Sequence, residues 1–120
     1  MMTSLRVPVL IVALLLGAGA PVSAQKTIDL DSATIADLNA AFTAGTLTAE
    51  RLTQMCLARI DAYDRKGPRL RAMITVNPKA LETARALDAE RRAKGPRSPL
   101  HGIPVVVKDN YDTTDMPTTG

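Results

Sequence analysis

Hydrophobic positions keep different rhythms in different parts of the chain, and each rhythm predicts an element. From Val7 to Ala20 they are continuous and uncharged (VPVLIVALLLGAGA). Further on they recur at helical spacing. Ile35, Leu38 and Phe42 lie three and four residues apart, which predicts a helix from an N-cap at Thr34 to about Ala44, stopped by Gly45. Thr48 caps a second predicted helix, about Ala49 to Tyr63, whose apolar stripe is Leu52, Met55, Cys56, Ile60 and Tyr63. The stretch DRKGP at 64–68 is a turn-rich break. Two short runs, AMITV at 72–76 and IPVVV at 103–107, are apolar and rich in β-branched residues, and both are read as strands. Between them Asn77 and Pro78 form a helix start, with Asn77 as cap and Pro78 at the first helical position. That third helix runs to about Lys94 and ends at Gly95-Pro96. Leu81, Ala84 and Leu87/Asp88 mark a narrow inner face suited to close packing.

Strand, helix, strand with so long a connection implies a right-handed βαβ unit with parallel strands. The expected fold class is therefore α/β: N-terminal helices followed by a βαβ unit that begins a mixed sheet. Two parallel strands alone leave edges and faces that need covering, so the sheet is expected to be incomplete within these 120 residues. Cys56 falls within the stripe of the second helix and is read as a small buried apolar residue. As the single cysteine it forms no internal disulfide.

The continuous apolar stretch is preceded by Arg6 and followed by Pro21-Val22-Ser23-Ala24, with small residues at the −3 and −1 positions of a cut after Ala24. A basic start, an apolar run and a small-residue exit make a secretory signal peptide. The run is shorter than the roughly 20 residues of a membrane span, so no stable membrane anchor is expected once the signal is cleaved. The expected organisation is a signal peptide at 1–24, a domain at 25–120 and an exported product, periplasmic or extracellular. Arg6 is one of 15 basic residues set against 12 acidic ones, so the remainder is only mildly basic. That balance argues against a nucleic-acid surface, and with Phe42, Tyr63 and Tyr111 as the only aromatics base-stacking platforms are excluded.

Candidate chemistry concentrates near residue 108. A lysine at the C-terminal end of a buried parallel strand occupies the usual place for functional groups in open α/β sheets. Desolvation there favours the neutral amine, and a neutral amine can take a proton from a serine hydroxyl. On spacing alone a plainer reading of Lys108 stays open, a charged residue leaving a strand for water. His101 has no recognisable Asp or Ser partner and makes a poor triad member. Asp109, Asn110 and Asp112 do not match a Ca²⁺ loop and no His/Cys cluster exists, so no metal is expected. They are read as turn residues, with Asp109 anchoring the loop that places Lys108. Arg91, Arg92, Lys94 and Arg97 gather at a helix C-terminus, where solvated positive charge is favourable.

The string Leu100-x-Gly102-Ile103-Pro104-Val105-x-Val107-Lys108-Asp109, followed by Met116-Pro117-Thr118-Thr119-Gly120, resembles the front of the amidase signature family. The upstream order is similar to that family as well: two helices, a strand ending Val76-Asn77-Pro78, and the helix containing Ala84 to Arg91. The resemblance extends over about residues 33–120. It implies amide-bond hydrolysis by a serine nucleophile, a second serine held by a cis peptide bond, and a lysine, and Lys108 matches the lysine. It implies no cofactor and a small-molecule or peptide amide as substrate, and it leaves the oligomeric state open. In the family the position of His101 is often histidine without being catalytic. The family's Gly/Ser-rich segment, which carries both serines, follows the motif. The serines present are Ser4, Ser23, Ser32 and Ser98, none in a glycine-rich turn. These 120 residues alone are thus expected to lack amidase activity. Thr118 and Thr119 match a segment near the catalytic centre and carry no assigned role. The alternatives from other classes are a small exported helical binding protein or degenerate remnant, and the amide-transferring subunit that works on charged tRNA, which an export signal argues against.

Overall fold

The computed structural model describes residues 28–119; the expected signal peptide lies outside the described residues. The first helix, α1, spans Ile35–Thr43. Its capping box is complete: Thr34 Oγ1 accepts from the Asp37 amide at 3.2 Å, and the Asp37 carboxylate accepts from the Thr34 amide at 3.0 Å. Gly45, at φ +68°, takes the left-handed turn that ends it. Leu38, Ala41 and Phe42 are buried, whereas Ile35, expected on the inner stripe, is half exposed.

α2 spans Ala49–Arg59. Thr48 Oγ1 accepts from the Arg51 amide at 3.0 Å, as its position in the sequence predicts. The helix does not reach Tyr63 as an α-helix. It widens into a π-helical segment, Ile60–Arg65. The i→i+5 turn rotates the following residues off the α-helical stripe, so Tyr63 is half exposed and Asp64 is buried instead. Tyr63 lies beneath the Arg59 guanidinium, 5.6 Å from its ring centroid. The Asp64 carboxylate accepts from the Ala72 and Met73 amides, at 2.5 and 3.2 Å. It ties the returning chain to the end of α2.

α3 spans Ala80–Lys94. Asn77 caps the preceding turn rather than the helix itself: its Oδ1 accepts from the Lys79 amide at 2.8 Å, and α3 begins two residues later than Pro78. The core joins Leu38, Ala41, Phe42, Leu47 and Leu52, with Ile28, Leu30, Met55, Cys56 and Ile103 packed against it. Cys56 is half-buried there, and burial pushes its thiol up from the ordinary value.

α3 lies against α2 through Asp88. This buried carboxylate accepts from the Ala49 amide at 2.8 Å and the Glu50 amide at 3.0 Å. Both amides are first-turn donors with no partner inside α2. An acid of one helix thus caps the start of its neighbour.

The predicted strands are not strands among the described residues. Segments 72–76 and 103–107 carry no ladder hydrogen bonds, and Ile74, Val105 and Val106 are more than two-thirds exposed. The physical reason is the one that makes parallel pairs rare in isolation: unpaired edges stay hydrated until flanking strands and helices cover them.

Candidate active site

The chain reaches the site through a buried staple. After α3, residues 96–102 fold back against the helix. Gly102 is buried at φ +80°, where a Cβ would stand 2.8 Å from the Ala49 Cβ. Only glycine allows the chain to pass that close to the start of α2. His101 is 5% exposed. Its Nε2 donates to the Leu87 carbonyl at 2.9 Å and its Nδ1 accepts from the Arg97 amide at 3.3 Å. That pairing defines the neutral Nε2–H tautomer. Both ring nitrogens are committed to backbone, so the ring holds no group for proton transfer.

Arg91 completes the staple and corrects the expectation for the basic cluster. Its guanidinium lies 4.6 Å from the Phe42 ring centroid and donates to the His101 carbonyl at 2.6 Å. It is an internal strut joining α1, α3 and the loop. Arg97 pairs instead with Glu90, whose carboxyl is held below the usual range chiefly by that hydrogen bond. Arg92 and Lys94 are exposed, as expected at a helix end.

Residues 103–108 form no regular element, and the chain turns at Asp109-Asn110, with the Tyr111 amide donating to the Lys108 carbonyl at 3.0 Å. Lys108 is exposed and lines a cleft of about 390 Å³. The cleft is lined as well by the other predicted strand segment, Ala72 to Thr75, which bends at Ile74. The two predicted strands therefore flank one cavity rather than exchange hydrogen bonds. Asp109, Tyr111, Thr113 and Met116 close the end of the cleft. The Asp109 carboxylate accepts from both the hydroxyl and the amide of Thr119, at 2.6 and 3.2 Å. Asp109 thus anchors the loop as the sequence predicts. Asn77 Nδ2 donates to Asp115, tying the same loop to the start of α3. Among the described residues no group of acids, histidines and cysteines could hold a metal ion.

No serine stands near Lys108 among the described residues. Ser32 Oγ donates to Asp29 at 2.7 Å and Ser98 Oγ accepts from the Leu100 amide at 3.2 Å; neither lines the cleft. Sequence reasoning missed the roles of Asp64, Asp88 and Asp115. The available signal was weak: Asp88 sits on the alanine-rich face of α3, where a charge has no reason to be unless it is paired.

Comparison with known proteins assigns this arrangement. The Amidase family profile matches residues 51–120. A glutamyl-tRNA(Gln) amidotransferase chain of Chloroflexus aggregans is 44% identical over 92 residues, which cover 76% of this chain and 18% of the relative. A probable amidase of Arabidopsis thaliana is 35% identical over 105 residues, 86% of this chain and 20% of the relative. Among solved structures, the peptide amidase of Stenotrophomonas maltophilia superposes with a TM-score of 0.70 at 52% identity, covering 72% of this chain and 18% of that one. The chain thus spans about a fifth of the length of the proteins it matches. With the Gly-Ile-Pro and Lys-Asp motif lying inside the matched region, and the fold shared with a solved amidase, this chain belongs to the amidase family.

Proposed function

We propose that the chain supplies the lysine-bearing part of an amide-bond hydrolase. Lys108 acts as the general base toward a serine held in a cis peptide bond, and that serine in turn activates the nucleophilic serine. Both serines belong to the Gly/Ser-rich segment that the family resemblance places after the motif. The observation carrying this reading is the position of Lys108. It lines an open cleft at the end of an apolar segment, within the Gly-Ile-Pro and Lys-Asp motif inside the region that matches the family. A lysine there is free to meet groups brought by further protein. In this reading segments 72–76 and 103–107 become parallel strands once further strands pair with them, and their exposed Ile74, Val105 and Val106 become buried on the two faces of the sheet. The domain at 25–120 follows a signal peptide cut after Ala24, and the enzyme works outside the cytoplasm.

The identity to a peptide amidase favours a peptide or small-molecule amide as substrate. A second reading, the amide-transferring subunit that works on charged tRNA, draws on the identity to the Chloroflexus protein. Purified full-length protein carrying this segment separates the two: hydrolysis of C-terminal peptide amides without any tRNA supports the first reading, and glutaminase activity that needs charged tRNA supports the second. In the same protein Lys108→Ala should lower kcat/KM at least ~10³-fold, as removal of a triad member does. The 120-residue chain alone should hydrolyse neither substrate. Full activity of the Lys108→Ala variant refutes the assignment.

A further inference from the structure

Resting on the reading of Lys108 above, we propose that Thr119 is a positioning residue for that lysine, acting through Asp109. Four hydrogen bonds carry the inference. The Tyr111 amide donates to the Lys108 carbonyl at 3.0 Å. Thr118 Oγ1 donates to the Tyr111 carbonyl at 3.1 Å. The Thr119 amide and hydroxyl both donate to Asp109 Oδ2, at 3.2 and 2.6 Å. Together they close residues 108–119 into a ring. The turn beside Lys108 is thereby held both by its own Tyr111–Lys108 bond and by Thr118 and Thr119 from further along the chain.

The ring also orients the Asp109 carboxylate. Asp109 is the acid beside Lys108, and both line the same cleft. A carboxylate turned toward the ammonium would instead draw the lysine side chain back against its own turn and away from the cleft. Thr119 takes both of its donors to one oxygen of that carboxylate. Among the described residues Lys108 makes no ion pair with Asp109. The latch therefore holds the turn that carries Lys108 and turns the Asp109 carboxylate toward Thr119. A displacement of about 1 Å at a catalytic group costs on the order of 10²-fold in rate, which sets the scale of the effect.

The test uses the full-length protein carrying this segment, with Lys108→Ala, Thr119→Val and Thr119→Ser assayed on one amide substrate. Thr119→Val removes the hydroxyl and keeps the shape. Its kcat should fall ~10- to 100-fold with KM within about twofold, because the reacting group and not the substrate is misplaced. Thr119→Ser restores the hydroxyl and should return kcat to within about threefold of the parent. Unchanged kcat in Thr119→Val overturns the proposal. So does equal loss in both variants with a matching fall in melting temperature, which marks a role in folding alone. Full activity of Lys108→Ala refutes the underlying assignment instead, and is distinguished by the variant in which it occurs.

Discussion

Replacing Gly102 by alanine tests whether the motif residue before Ile103-Pro104 is there for packing. The new Cβ would lie 2.8 Å from the Ala49 Cβ, at a backbone φ of +80°. Carbon atoms in contact prefer about 3.5–4.0 Å, so the site is short by about 0.7–1.2 Å. Overpacking of this kind costs about 1–3 kcal/mol. Holding a residue with a Cβ at positive φ adds about 1–2 kcal/mol. The sum is a destabilisation of about 2–5 kcal/mol. Urea unfolding of the purified protein, followed by circular dichroism, measures it as a lower midpoint at unchanged slope. A second variant separates the two contributions. Ala49→Gly removes the opposing Cβ and leaves φ untouched, so the double variant should recover about 1–3 kcal/mol relative to the sum of the singles. A Gly102→Ala protein within about 0.5 kcal/mol of the parent refutes the argument. Strict additivity of the two substitutions refutes the contact and leaves only the backbone contribution.

Two further outcomes follow from the helix contacts. Asp88→Ala removes the acceptor of the Ala49 and Glu50 amides and should cost about 1–3 kcal/mol in the same urea assay; an unchanged midpoint refutes the cap between helices. Glu90 is held below its ordinary value chiefly by the Arg97 hydrogen bond, so its contribution is present above the unfolded value near 4.5 and is lost as pH falls through the lower folded value. The melting temperature of Glu90→Gln should accordingly approach that of the parent as pH falls from 6 toward 3, and a constant difference across that range contradicts the pairing.

The helices were legible because their signals are local. The caps Thr34 and Thr48 and the stop Gly45 each act within one turn, and helical spacing puts Leu38 and Phe42 on the inner side of α1 and Leu52 on that of α2. The motif from Gly102 to Asp109 was legible too, and with it the family and the candidate Lys108. The end of α2 was not. The same residues can close as α or π, and in the folded chain they close as π while the Asp64 carboxylate accepts from the Ala72 and Met73 amides. Arg91 read as one more solvated cation at a helix end. Only packing shows that the Phe42 face and the His101 carbonyl meet at its position.

The strands mark the deeper limit. The sequence by itself determined that 72–76 and 103–107 are apolar and rich in β-branched residues, since those are properties of each residue. Pairing is a property of two segments and of whatever covers them, and in the folded chain these two flank a cleft without a ladder. The sequence likewise determined a lysine after an apolar run and an acid beside it. Tertiary structure alone decided that the acid turns to Thr119 and that His101 is spent on backbone, because a hydrogen bond across ten residues of loop exists only once the loop has closed.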